Sequence, residues 1–245
     1  MSHSIRAAVH STVFFAALLF TSAVAAETAK HPWNQNVPFE TAIIRYELKG
    51  KDPGTRVLYL RARGDERVTV TRTTPTDTAA AAERHTIEIS TPADVTRIEM
   101  QTKTALRAAN KLGHLIEGYK ALSDEDKATV MKTAARVENR FPALRGRPEP
   151  SSKGKFLGYD CDVVEIGGVT SYYIAGTTIL LKSEGVQGSI AVATIATDID
   201  NKAAIPEDVF AIPAEVRVRD LREMQNATIR QSAEKELAAL RAPHP

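Results

Sequence analysis

The feature that most constrains this chain is a two-residue alternation of apolar and polar side chains, repeated in short segments between turn residues. In residues 42–48, Ile44, Tyr46 and Leu48 fall on one face and Arg45 and Glu47 on the other. Only an extended strand with one buried face sorts side chains in this way. The pattern returns in residues 57–63 and, after Gly64-Asp65-Glu66, in residues 68–72, so the two segments read as a hairpin. A further pair is expected at 86–90 and 96–102, turned by Pro92-Ala93-Asp94, with residues 76–83 as a loop or brief helical turn before it. Ahead of the first strand, His31-Pro32-Trp33 reads as a mobile entry. The first hundred residues therefore read as an antiparallel meander with one wet face.

The period then changes. Leu106, Ala109, Leu112, Leu115, Ile116 and Tyr119 recur at helical spacing, which predicts a helix over 104–122 weakened by Gly113 and Gly118. Ser123, with Asp126 three residues on, predicts the cap of a second helix whose stripe is Val130, Ala134, Val137 and Phe141, stopped by Pro142. A Pro-, Arg-, Gly- and Ser-rich linker over 144–155 returns the chain to strands at 159–166, 170–175, 179–183 and 189–197, with Gly167-Gly168 as a turn. Residues 216–218 are expected to close the sheet. Asp220 and Glu223 then cap a charged helix to about residue 240, whose thin stripe of Leu221, Met224, Ile229, Ala233, Leu237 and Leu240 suits a helix lying on the body or projecting from it.

The chain begins with Arg6 ahead of an apolar run, residues 13–20, and the small residues Ser22-Ala23-Val24-Ala25-Ala26. This is the pattern of a secretory signal peptide over residues 1–25, since the run is shorter than the roughly 20 residues a membrane span needs. No cysteine stands at the cleavage site to take a lipid, so a periplasmic or secreted location without a transmembrane segment is expected. Removing that segment takes away Arg6 and no acid, leaving 31 basic against 30 acidic residues, a balance that selects neither nucleic acid nor anionic lipid. The single cysteine, Cys161, cannot form an intramolecular disulfide, so stability has to come from a packed core.

The order of strand meander, helical pair and second meander carries a resemblance. Four stretches mark it: Tyr46-Glu47-Leu48-Lys49-Gly50 followed by a Val-Leu-Tyr strand, Leu122-Ser123-Asp124-Glu125-Asp126-Lys127-Ala128, the G-x-x-C strand from Gly158 to Cys161, and Ile205-Pro206-Glu207-Asp208-Val209-Phe210-Ala211-Ile212-Pro213. Together they resemble secreted bacterial families of unknown function with a LolA-like fold, an open half-barrel of the kind used by periplasmic lipoprotein carriers. The resemblance spans most of residues 40–218. It implies a mainly antiparallel β fold with helices (α+β), one domain over 40–218 with a helical insertion at 104–142, and a hydrophobic cleft. It carries no catalytic residue. The stretch Ile174-Ala175-Gly176-Thr177-Thr178 and the helix over 220–241 depart from it.

The chemistry-bearing residues are sparse. Cys161 stands between Asp160 and Asp162, and negative neighbours raise a thiol's pKa, so it reads as a buried structural thiol rather than a nucleophile served by His85 or His114. His31, His85, His114 and His244 have no partner at metal-ligand spacing, so no metal and no cofactor are expected. Thr197-Asp198-Ile199-Asp200-Asn201 opens like a calcium loop, but Ala203 and Val209 replace its glycine and glutamate; it reads as a polar turn. There is no G-x-S-x-G and no phosphate-cradling glycine loop. Arg217, Arg219 and Arg222 read as a solvated basic face.

The expectation is a non-enzymatic protein that holds a lipid, an acyl chain or another hydrophobic ligand in an apolar concavity walled by Ile44, Tyr46, Leu58, Leu60, Val68, Val70, Ile87, Ile89, Ile98 and Met100. The alternative is an envelope interaction or scaffolding module with a solid core, whose protein partner docks on an open sheet edge or on the C-terminal helix.

Overall fold

Alternation in the first strand is matched by its burial: in β1 (Ala42–Lys49), Ala42, Ile44, Tyr46 and Leu48 are buried and Arg45, Glu47 and Lys49 are exposed. The computed structural model of the protein describes residues 31–33, 37–76, 82–134 and 150–242. β1 is followed by β2 (Gly54–Arg61), β3 (Glu66–Thr73), β4 (Arg84–Ser90), β5 (Asp94–Glu99) and β6 (Thr104–Ala109), each antiparallel to the one before. A second meander runs through β7 (Ser152–Phe156), β8 (Tyr159–Ile166), β9 (Val169–Ile174), β10 (Leu180–Gln187) and β11 (Ile190–Asp200). With the edge strand β12 (Arg217–Asp220), and with the two meanders bonded through β1 and β11, these make one open sheet of twelve strands in the order β12-β6-β5-β4-β3-β2-β1-β11-β10-β9-β8-β7. β12 pairs with β6 in parallel and forms one edge; β7 forms the other.

Three helices are described: α1 (Lys111–Lys120), α2 (Asp124–Thr133) and α3 (Arg222–Arg241). The helix expected from residue 104 begins only at Lys111. Residues Thr104–Ala109 are instead drawn into the sheet, because their backbone finds partners on both sides, β5 and β12, while Ala105 is buried and Leu106 faces solvent. The apolar stripe beginning at Leu106 is a coincidence of spacing across two elements. Asn110 makes the switch: its side-chain oxygen accepts the Leu112 N–H at 3.0 Å, capping α1. Ser123 caps α2 as the sequence predicts, accepting the Asp126 N–H at 3.1 Å. Val137, Phe141 and Pro142 lie outside the described residues. The expected linker overlaps all but the last residue of β7, so Cys161 sits on the second strand of this half, opposite Gly154.

Two of the expectations for the chain's ends are corrected. His31, Pro32 and Trp33 do not form a mobile entry but are buried, Trp33 meeting Tyr119 edge-on at 6.0 Å between ring centres. The C-terminal helix is not a bystander either. Ala233, Leu237 and Leu240 pack with Trp33, Leu115, Tyr119 and Val130 into a helical core, while Met224, placed on the stripe by periodicity, is 70% exposed. Leu237 crosses α1 at Gly118, where an added Cβ would lie 2.4 Å from the Leu237 side chain. Lys111 of α1 forms an ion pair with the buried Glu236 of α3.

Leu237→Ala removes the side chain that joins α3 to α1 and should cost roughly 2 to 4 kcal/mol in chemical denaturation. Trp33 fluorescence, the only tryptophan signal in the chain, should shift to the red in the same variant at native pH.

Candidate functional site

The ten apolar residues expected to wall one concavity are split by the strand register. Ala42 pairs with Leu60 and Ile44 with Leu58, so Ile44, Tyr46, Leu58 and Leu60 share a face. Val68 and Val70 pair instead with Tyr59 and Val57, the alternate residues of β2, and Val70 pairs with Ile87, Val68 with Ile89, and Ile87 with Ile98. Those side chains lie on the opposite face. The first group is packed with Val37, Phe39, Cys161, Ile174, Ile179, Leu181 and Ala196; the second, together with Met100, is packed beneath Val209, Phe210, Ile212 and Val216. Ile44, Leu60, Val68 and Ile98 are fully buried.

The cover over the second group comes from the stretch whose sequence stood out at residues 205–213. Its short turn of 3-10 helix, Glu207–Phe210, is held by Arg61. The Arg61 guanidinium lies 3.7 Å from the centre of the Phe210 ring, donates to Glu207 at 2.7 Å and to Glu66 at 3.0 Å. A planar cation that stacks on one ring and forks to two carboxylates fixes the crossing segment to the end of β2.

Cys161 is fully buried between Gly154 of β7 and Ile174 of β9, with its Sγ 3.5 Å from the Tyr159 carbonyl oxygen. Burial pushes its thiol pKa up, and the charges of Asp162 and Asp160 add to that. Asp162 pairs with Lys153 and accepts the Gly176 N–H at 2.9 Å. β8 bonds to β7 and β9, whereas His85 lies on β4 and His114 on α1. Residues 197–200 form the end of β11 rather than a turn: Asp198 meets Arg45 at 2.6 Å and Asp200 accepts the Lys202 N–H. Among the described residues, no three His, Cys, Asp or Glu side chains converge as a metal-binding set.

A cleft of about 530 Å³ opens elsewhere, where the start of α1 faces the start of α3; Asn110, His114, Glu117, Asp220, Arg222 and Glu223 are among its lining residues. Beside it Asp94, nearly buried, accepts from Arg107 at 2.6 Å and from Arg222 at 3.4 Å. Arg222 in turn grips Asp220, whose carboxyl is held at about 2, chiefly by those side-chain hydrogen bonds. With Arg222 and Asp220 neutralising each other, Glu117 and Glu223 leave the charged side of the cleft acidic, while Ala93, Ala109 and Gly113 line the rest. Sequence reading misses this grouping because Asp94 and Arg222 are 128 positions apart.

No protein-family model matches this chain, and no curated protein matches it. Solved structures align only loosely. PNGF-II is 11% identical with a TM-score of 0.39, the alignment covering 79% of this chain and 33% of that one. An uncharacterized conserved protein from Thermus thermophilus is 7% identical with a TM-score of 0.41, covering 74% and 91%. The chain thus spans about a third of the length of PNGF-II.

The N-terminal arm supplies a titration of its own. Burial, assisted by the charge of Lys120, lowers the His31 pKa from 6.5 to about 4, while burial raises that of Asp65, whose carboxylate lies 3.9 Å from Nε2. An unfolded histidine takes up its proton first, so this group contributes stability above pH 6.5 that is lost as the pH falls toward 4. The raised Asp65 acts in the opposite sense near the acid end. Between pH 6.5 and about 5 the wild-type melting temperature should therefore fall more steeply than that of His31→Phe, which has no titrating ring at that position.

For Cys161, native protein should resist alkylation at neutral pH and react fully in denaturant. Cys161→Ser should cost roughly 1 to 3 kcal/mol and Cys161→Ala less. Fast native labelling would contradict this placement.

Proposed function

We propose that this chain is an exported, non-enzymatic envelope protein that works as an interaction module, with a solid sheet whose open edge receives a partner's extended segment. The observation that carries the reading is the edge strand β12, Arg217–Asp220, every residue of which is exposed. The N–H groups of Arg217 and Leu221 donate to carbonyls along β6 and the turn before it, so by strand alternation that of Val218 faces away from the sheet. A row of free backbone groups is a template for strand addition. Arg217 and Arg219 flank it, and no ion pair among the described residues engages either one, which favours an acidic partner segment.

The opening of the sheet at both edges is consistent with the half-barrel that the resemblance implies, and the signal-like segment at residues 1–25 is the basis for export. The hydrophobic-ligand reading has less support, because the expected wall residues fill two packed clusters on opposite faces.

Val218→Pro removes the outward N–H while leaving the bonds to β6 in place. Crosslinking and affinity capture from the source envelope should recover a protein with the wild type that is lost with Val218→Pro, at an unchanged melting temperature. Retention of that protein by the variant, or recovery of tightly bound lipid from the wild type with no protein partner, would count against the module.

A further inference from the structure

One sector of the sheet is poor in charge toward its end, where Glu165 stands next to Ile166 and Lys49 of β1 lies opposite Ala193. Residues 166–181 and 185–197 contain no Asp, Glu, Lys, Arg or His, in a chain where a quarter of the residues are charged. The charges between those stretches, Lys182 and Glu184, pair with each other at 2.6 Å. The stretches form two hairpins, β8–β9 and β10–β11, that lie side by side, with Val169 opposite Gly185 and the Val186 N–H donating to the Gly168 carbonyl at 3.3 Å. Their ends therefore make one joined tip.

That tip is apolar and wet. Ile166 is 55% exposed, Val186 52% and Ile190 41%, all within two residues of the turns at Gly167-Gly168 and Gly188. Register shows where they point. Ile166 pairs with Val169, Val169 with Gly185 and Gly185 with Val192, so Ile166 and Ile190 share one face, whereas Val186 pairs with Ala191 on the other. A protein partner docking on a sheet face would need an apolar patch on one side. Apolar side chains on both sides of a narrow end, with Glu165 and Lys49 set back from the turns, instead suit an apolar medium that surrounds the turns. The turn glycines keep the end slim: at Gly167 and Gly188 φ is positive and an added Cβ would meet nothing within 4 Å.

We infer that the joined tip of β8–β9 and β10–β11 inserts end-on into the surface of a lipid bilayer, with Ile166, Val186 and Ile190 entering the boundary between headgroups and acyl chains. Two residues of strand reach roughly 5 to 10 Å, the depth of that boundary, where the turn's backbone groups still meet water. The attachment is apolar, so it does not depend on anionic lipid. This goes beyond the module reading and uses the opposite half of the strand order from β12.

The test is co-sedimentation of the chain without residues 1–25, whose apolar run would bind vesicles by itself, with phosphatidylcholine vesicles, compared with Ile166→Ser/Val186→Ser/Ile190→Ser; these positions are exposed, so the fold is kept and circular dichroism checks it. The wild type should bind at low and high salt alike, and the triple variant should bind roughly tenfold more weakly or less. In a separate Ile166→Trp variant the new indole should shift to the blue on vesicle addition while buried Trp33 stays constant. Equal binding by the triple variant, loss of binding in high salt, or an unshifted Ile166→Trp emission at saturating lipid would overturn the inference. So would self-association that the triple variant abolishes in a protein that ignores vesicles, which would assign the tip to a second copy.

Discussion

Everything in the sheet depends on the seam between β1 and β11. Each meander alone is a run of hairpins with a free central edge, and only this pairing, from Ile43 opposite Asp200 to Lys49 opposite Ala193, makes them one sheet. It is reinforced on the buried side, where Ile44, Tyr46, Leu181 and Ala196 belong to one cluster and the Tyr46 hydroxyl donates to the Leu180 carbonyl at 2.8 Å. Burial of that phenol pushes its pKa well above the usual tyrosine range, so it remains a hydrogen-bond donor at any physiological pH. The register slips once, between Arg45 and Tyr46, and the extra residue falls on the β11 side at Thr197, whose hydroxyl donates back to the Arg45 carbonyl at 3.2 Å.

Local periodicity makes the strands legible. The segments at 42–48, 68–72 and 159–166 stand out with nearly the right bounds because each alternates and is closed by glycine, proline or aspartate. What escapes is everything that depends on a partner outside the window. Residues 104–109 spell a helix as well as a strand, and the choice is made by β5 and β12. Ser152–Phe156 has a glycine and two lysines and becomes a strand only because β8 offers it an edge. Trp33 sits in an arm with no period at all; its burial is decided by Tyr119 and the helices. The ten expected wall residues show the same limit. Alternation says that a strand has an apolar face, but not which side of the sheet that face joins, and in β3 it is the reverse of β1.

The charged residues follow a different rule. Where they approach the interior they come as linked sets, Asp94 with Arg107 and Arg222, Arg61 with Glu66 and Glu207, Lys111 with Glu236. Each set fastens a late element to an early one: α3 to β5, the crossing segment to β2, and α3 to α1. Directional bonds suit this purpose because the packed clusters beneath them are non-specific about position.

The helical core has a consequence for how the chain is made. Its members come from residue 33, from residues 115 to 130, and from residues 233 to 240, so a ribosome delivers the first long before the last. Until the final turns of α3 emerge, Trp33, Leu115, Tyr119 and Val130 have no cover and present an apolar surface to any chaperone or protease nearby. A chain that lacks residues 233–240 would keep that surface. Docking of α3 is thus the event that hides this surface, and a protease meets it only in chains where α3 has not yet folded back.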